Sequence, residues 1–172
     1  MSDCKNNIIR LLEPSDFSRA TEVIRASFAT VAKDLGLTEQ NCPQYVGFVT
    51  TVERLQTHHN WGWLVYGLYE NERIAGYVSI SKDTERAYEI HNLAVLPDCR
   101  HKGYGKLLLD FSIKKITELG GDMVNIGIVE ENTVLKNWYT AYGFVHVGTK
   151  KIEHLPFTSG YMELEVSSWE SR

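Results

Sequence analysis

The sequence predicts an α+β fold built around a mixed sheet, and three observations carry that reading. Between residues 63 and 95, strand-like runs follow one another through short turns, as hairpins do. From residue 89 onward the texture becomes strand, helix, strand, helix, strand. The 172 residues contain no internal repeat, low-complexity tract or long linker, so one domain with a sizeable core, spanning 1–172, is the expectation.

Asn7 to Leu12 is a short apolar run suited to an opening strand, and Glu13-Pro14-Ser15-Asp16 supplies turn and cap residues for a helix over Phe17 to Leu35. Gly36 breaks that helix. A second helix is expected from about Pro43, carrying Tyr45, Phe48, Val49, Val52 and Leu55. Trp63 to Tyr69 and Arg73 to Ser81 read as strands around a Glu70-Asn71-Glu72 turn, and Thr84 to Val95 as a third strand stopped by Pro97. A helix over Lys106 to Leu119, apolar at 108, 111, 116 and 119, closes at Gly120-Gly121. Met123 to Val129 is a strand, Thr133 to Tyr142 a helix and Phe144 to Gly148 a strand. In a final strand, Tyr161, Glu163 and Glu165 alternate with Met162, Leu164 and Val166.

Composition narrows the class. Apolar content of 43% and charged content of 23% fit an ordinary globule, and a net charge of -4 argues against a nucleic-acid surface, although His101, Lys102 and Lys106 are candidates for a local basic patch. Cys4, Cys42 and Cys99 are scattered and lack a CxxC pair, which reads as unpaired thiols in a reducing compartment. No apolar run has the length of a signal sequence or membrane span, so a cytoplasmic location is expected. His58 and His59, placed in a loop before Asn60, form no metal-ligand spacing with His146 and His154, and no metal is expected.

The most informative stretch is Arg100-His101-Lys102-Gly103-Tyr104-Gly105-Lys106, a glycine-rich turn between a strand and a helix. Glycines remove side chains where backbone N–H groups must approach an anion, and the helix start adds a favourable dipole. A pyrophosphate-bearing ligand is the natural occupant. It is not a P-loop, because Gly105-Lys106-Leu107 lacks both the spacing and the hydroxyl. It is not a dinucleotide fingerprint either, with only two glycines late in the chain.

With these residues in place, the chain resembles the GCN5-related N-acetyltransferase superfamily. Arg100, Gly103 and Gly105 match its signature of Arg or Gln, two residues, Gly, one residue, Gly or Ala. Ala94-Val95-Leu96-Pro97 matches the strand end that precedes it, and Asn132, Tyr139 and Gly143-Phe144 match its second motif. The resemblance covers roughly Ile8 to Val166 and is sharpest from Glu89 to Phe144. It implies a mostly antiparallel central sheet flanked by helices, with acetyl-CoA as co-substrate. By position, it implies a pyrophosphate cradle of main-chain amides from His101 through Lys106, including Lys102, Gly103, Tyr104 and Gly105. Arg100 would shape or flank the loop. Leu93, Ala94 and Val95 would lie along the splayed strand that holds the acetyl and pantetheine parts, Asn132 would contact the pantetheine arm or fix the next segment, and Tyr139 would be the general acid. Trp138 is expected to pack against the sheet.

The chemistry sets the remaining roles. An alkyl amine with a pKa near 10.4 is neutral in only about one molecule in 2,500 at pH 7, so a base must take its proton, directly or through water. Glu89 is the best candidate, with Glu85 a weaker substitute. It matches by distance the glutamate of the family's histone-modifying branch, and it shares a face with Leu93 four residues on unless a bulge intervenes. His91 shares that face too, as a proton relay or as a structural histidine. Tyr139 would protonate or hydrogen-bond the leaving thiolate, and the amide region of Leu93 would help the oxyanion. No Ser-His-Asp set suggests an acyl-enzyme, and Cys99 is not expected to act as a nucleophile.

The acceptor site is expected between Ala32 and Tyr45 and between Lys150 and Tyr161, where Asp34, Glu39, Tyr45, Glu153, His154 and Phe157 suit a cationic amine such as a polyamine or amino sugar. Two other readings stay open: acetylation of a protein lysine or N-terminal amine, and a non-catalytic acyl-CoA-binding regulatory domain. Neither nucleic acid nor membrane is an expected partner. Trp61-Gly62-Trp63 and Trp169 suit either core or a dimer contact, which leaves monomer and homodimer open.

Overall fold

The computed structural model describes residues 7–170. Strand β1 (Asn7–Leu11) leads through a 3-10 turn at Pro14–Asp16 into helix α1 (Phe17–Leu35). Asp16 organises this entry, accepting from the Glu13 N–H at 3.1 Å and pairing with Arg19 at 2.7 Å. Gly36 stops α1 in the left-handed region at φ 64°, which lets its N–H reach back to the Ala32 and Lys33 carbonyls.

The single helix expected from Pro43 to Leu55 is two: α2 (Val46–Val49) and α3 (Val52–Asn60). Thr50 and Thr51 both leave helical conformation, and the Thr51 hydroxyl accepts from the Arg54 N–H to cap α3. Hydroxyl side chains offer the backbone an alternative to helix, and two in a row break the run. The break moves the second helix toward the C-terminus. His58 and His59, expected in a loop, form the last turn of α3, and His58 is buried.

Strands β2 (Leu64–Glu70) and β3 (Arg73–Lys82) form a hairpin over Asn71 and Glu72, with Asn71 at φ 59°. Strand β4 (Ala87–Val95) starts three residues later than expected, because the N–H groups of Asp83 and Thr84 donate to the Ala87 carbonyl and close a turn. A 3-10 turn at Pro97–Cys99 leads to α4 (Tyr104–Glu118). Its buried stripe is Leu108, Leu109, Ser112, Ile113 and Ile116, whereas Leu119 lies beyond the helix and is exposed. Then come β5 (Met123–Val129), α5 (Thr133–Tyr142), β6 (Val145–Lys151), β7 (Thr158–Glu165) and α6 (Val166–Glu170).

Among the described residues, seven strands form one sheet in the order β1-β2-β3-β4-β5-β7-β6, in which only the β4–β5 pair is parallel. Helices α1 and α4 both pack on β3 and β4. Leu108 of α4 sits so close to Gly76 of β3 that a Cβ there would come within 2.8 Å of it. A second, smaller cluster joins Ala32, Leu37, Cys42 and Tyr45 to Phe28, Leu155 and Phe157, tying the end of α1 and the loop after it to the β6–β7 loop. Cys42 and Cys99 are unpaired and buried; Cys4 lies outside the described residues. Trp169 donates from Nε1 to the Tyr142 hydroxyl at 2.9 Å and packs on the main core. No helix among the described residues is long and apolar enough to cross a membrane.

Candidate active site

Strands β4 and β5 pair only over Ala87–Glu89 and Met123–Asn125. Beyond that point β4 stays with β3 and β5 stays with β7, so the two strands diverge. A bulge completes the fork. The register against β3 passes from Ser79–His91 to Tyr77–Ala94, leaving Asn92 and Leu93 together opposite Val78, and Asn92 takes φ 52°. The fork opens into a cleft of about 410 Å³. Ile90, Asn92 and Leu93 line it from β4, and residues 126–129 line it from β5. Asn132, Leu135 and Tyr139 of α5 line one side. Phe28, Val31 and Tyr45 line another, with His154, Leu155, Phe157 and Tyr161.

The bulge is the exception under which Glu89 and Leu93 do not share a face. Tyr88, one residue before Glu89, points to α4, where its hydroxyl donates to the Leu119 carbonyl at 3.4 Å. Glu89 and His91 therefore point to the opposite side, whereas past the bulge Val95 pairs with Gly76, which faces α4. Glu89 stands at the last paired position of the fork and does not itself line the cleft. Burial and nearby Asp83 push its carboxyl above the ordinary range. His91 lies beside it, Nδ1 3.5 Å from Oε1.

The glycine turn has the geometry that anion binding requires. His101 and Gly103 take φ 61° and 81°, and Gly103 occupies the N-cap position of α4 without a side-chain cap. Among the described residues, the N–H groups of His101, Lys102, Gly103, Gly105 and Lys106 have no internal acceptor. A Cβ at Gly105 would meet only Trp138, at 3.6 Å, so nothing within the fold itself demands a glycine there. Trp138 packs on this helix start and, edge-on, on Tyr139.

The basic side chains of the turn point elsewhere. Lys102 pairs with Glu70 at 3.0 Å, the Tyr104 hydroxyl donates to the same carboxylate at 2.6 Å, and Lys106 pairs with Asp110 at 2.6 Å. The local basic patch is thus largely matched by carboxylates. Arg100 turns to α1, donating to the Ser27 carbonyl at 3.0 Å and clamping the loop to that helix. Ala94 and Val95 are buried, while Leu93 lines the cleft.

Asn132 caps α5 by accepting from the Leu135 N–H at 3.2 Å, and this fixes the helix that presents Tyr139. The Tyr139 ring packs edge-on against Phe144 at 5.4 Å and is almost fully buried, yet it lines the cleft. Burial pushes its phenol well up, which favours the protonated form. Tyr142 serves the packing between helices, donating to Asp110 and accepting from Trp169.

Of the residues expected around an acceptor, Tyr45, His154 and Phe157 line the cleft, whereas Asp34, Glu39 and Glu153 are exposed and do not line it. The wall is apolar and aromatic because the small cluster around Cys42 and Tyr45 turns its apolar side chains inward and leaves the carboxylates in water. Sequence reasoning missed Phe28, Val31 and Leu155, whose only signal was apolarity, and Glu70, the shared anchor of Lys102 and Tyr104.

A mixed sheet forked at its parallel β4–β5 pair, with a glycine turn capping α4, is the arrangement of an acetyltransferase class of fold, and the family comparison agrees. The acetyltransferase (GNAT) family model matches residues 33–144, and the chain belongs to that family. It is 30% identical over 79 residues to the uncharacterised N-acetyltransferase YvbK of Bacillus subtilis (strain 168), an alignment covering 46% of this chain and 51% of YvbK. The chain thus aligns with about half the length of that curated relative. The fold is also that of the PaiA N-acetyltransferase of Thermoplasma acidophilum, solved with coenzyme A, at TM-score 0.79 and 20% identity over 96% of this chain and 99% of that one. The ribosomal-protein-S18-alanine N-acetyltransferase of Escherichia coli matches at TM-score 0.74 and 16% identity, over 93% and 94%.

Proposed function

We propose that this protein moves the acetyl group of acetyl-CoA directly to the primary amine of a small molecule, in a ternary complex. The observation that carries the reading is the continuity of the cleft, from Asn132 and Tyr139 to an aromatic wall of Tyr45, Phe157 and Tyr161. A walled pocket suits a small acceptor better than a protein chain. Without a carboxylate on that wall, an amine with an apolar or aromatic body suits it better than the polyamine or amino sugar that Asp34, Glu39 and Glu153 had favoured.

The amides of residues 101–106 hold the pyrophosphate of the coenzyme. Glu89 takes a proton from the ammonium, directly or through water, and the neutral nitrogen attacks the acetyl carbon. The main chain near Leu93 stabilises the oxyanion. As the C–S bond breaks, Tyr139 gives its proton to the sulfur and recovers one as the new amide nitrogen loses its second. The products are the amide, free coenzyme A and the proton that Glu89 gives up to water.

The test is an acetyl-CoA-dependent assay over arylalkyl amines, polyamines, aminoglycosides, amino acids and peptides. Turnover of arylalkyl or alkyl monoamines supports the reading. Turnover of peptides alone would replace it with protein acetylation, and coenzyme binding without turnover on any amine would replace it with a regulatory domain.

A further inference from the structure

We propose that His91 is a positioning residue for Glu89, locked in place by a ring stack that runs from His58 through Trp63 to His91. The inference rests on the reading of Glu89 as the base. Trp63 lies flat on the His91 ring at 4.3 Å and 15°, and His58 lies flat on Trp63 at 4.1 Å and 20°. The His91 Nε2 is 2.8 Å from the Ser81 hydroxyl, and Ser81 is the β3 partner of Glu89 in the sheet register. With one ring face covered and Nε2 engaged, Nδ1 is left facing Glu89 at 3.5 Å.

Only one arrangement of protons serves an ionised Glu89 there. The Ser81 hydroxyl donates to Nε2, and the ring proton sits on Nδ1, the nitrogen 3.5 Å from Oε1. The other carboxylate oxygen is then left to receive the proton of the acceptor amine. The charge state of the ring matters as much as its angle. An imidazolium beside Glu89 would hold the carboxylate down and make it a poor base, whereas a neutral ring orients it without that cost. The groups around His91 are Ser81 and Asp83 from the β3 side, Glu89 on its own strand, and His58 from α3, on which Arg54 acts in turn. Asp83, held by Asn125 at 2.9 Å, favours a charged ring; burial and His58 oppose it and win, drawing His91 down to about 4. His58, itself buried with Nδ1 unpartnered, is drawn down as well.

The first test needs no acceptor. Imidazole nitrogen NMR of the whole protein at pH 7 reads the tautomer of His91; Nδ1–H is expected, and Nε2–H would overturn the inference. The second measures kcat and KM against pH with acetyl-CoA and 2-phenylethylamine as the probe amine. His91→Leu is expected to lose about tenfold in kcat with the amine KM within about twofold, and His91→Asn, whose amide N–H stands near the lost Nδ1–H, to recover most of it. Trp63→Leu should raise the His91 titration toward about 6.5 and bring that inflection into the kcat profile. Coenzyme A affinity should be unchanged in all three, which separates these effects from unfolding. A His91→Leu profile that superimposes on wild type, or an Asn variant no better than Leu, would overturn the inference alone. Wild-type kcat in Glu89→Gln would overturn the base assignment and the role of His91 with it.

Discussion

Glu89 and Asn125 face one another as the last paired positions of β4 and β5, and the next residue on each strand, Ile90 and Ile126, already lines the cleft. The junction is braced from the side by Asp83, which accepts from the Asn125 side chain at 2.9 Å. One register position therefore separates closed sheet from open cleft. The Glu89 carboxyl at the junction is half-shielded from water and one residue from the cleft lining, and burial together with Asp83 raises its basicity.

Gly103 and Gly105 should respond differently to alanine. At Gly103 the positive φ makes any side chain cost about 1–2 kcal/mol, so Gly103→Ala should lower both stability and coenzyme affinity. At Gly105 an added methyl meets only ordinary contact with Trp138, and alanine favours the helix by up to about 1 kcal/mol. Gly105→Ala should melt at or above the wild-type temperature while losing about tenfold in coenzyme A affinity by calorimetry. Wild-type affinity would show that the cradle lies elsewhere.

Tyr139→Phe keeps the ring contacts with Trp138 and Phe144 and removes only the hydroxyl. A drop of about 100-fold in kcat is expected with little change in either KM, as for loss of a general acid. Because burial raises the phenol above its ordinary value, any basic limb that the wild-type kcat profile shows below pH 10 should persist in this variant. Its disappearance would assign that limb to Tyr139.

Acid should destabilise the protein through the histidine stack. His91 titrates at about 4 when folded against about 6.5 when unfolded, so the unfolded chain binds the extra proton between those values. The contribution is fully present above about pH 6.5 and is lost as the pH falls toward 4, by up to about 1.4 kcal/mol per pH unit. Urea unfolding at pH 7.5 and pH 5 should differ by about 2 kcal/mol more in wild type than in His91→Asn. Equal differences would mean that the ring is charged or exposed.

Arg100→Met should separate the glycine turn from α1 by removing the charged donor to the Ser27 carbonyl. Such a bond contributes about 1.5–3 kcal/mol, and a freer loop should bind coenzyme A several-fold more weakly. Faster amide exchange confined to residues 100–106 would show the loosening directly.

The features legible in the sequence were those that local chemistry decides. The bounds of α1, β5 and α5 come from a turn ahead of Phe17, Gly36 behind Leu35, an apolar run behind Gly121, and Asn132 capping Thr133. The glycine turn was legible because it needs particular residues at fixed spacing. Tertiary structure decided the rest. The bulge at Asn92 is invisible to a two-residue alternation, because one inserted residue turns the remainder of β4 over and the pairing partner on β3 alone reveals it. The carboxylates of Asp34, Glu39 and Glu153 were counted by their sequence positions, but their direction was set by which neighbours Cys42, Tyr45 and Phe157 buried. Long-range packing likewise laid His91 on Trp63, which stacks locally on His58 five residues before it. A sequence specifies local conformation through nearby atoms, while the facing of a side chain depends on contacts whose partners lie tens of residues away.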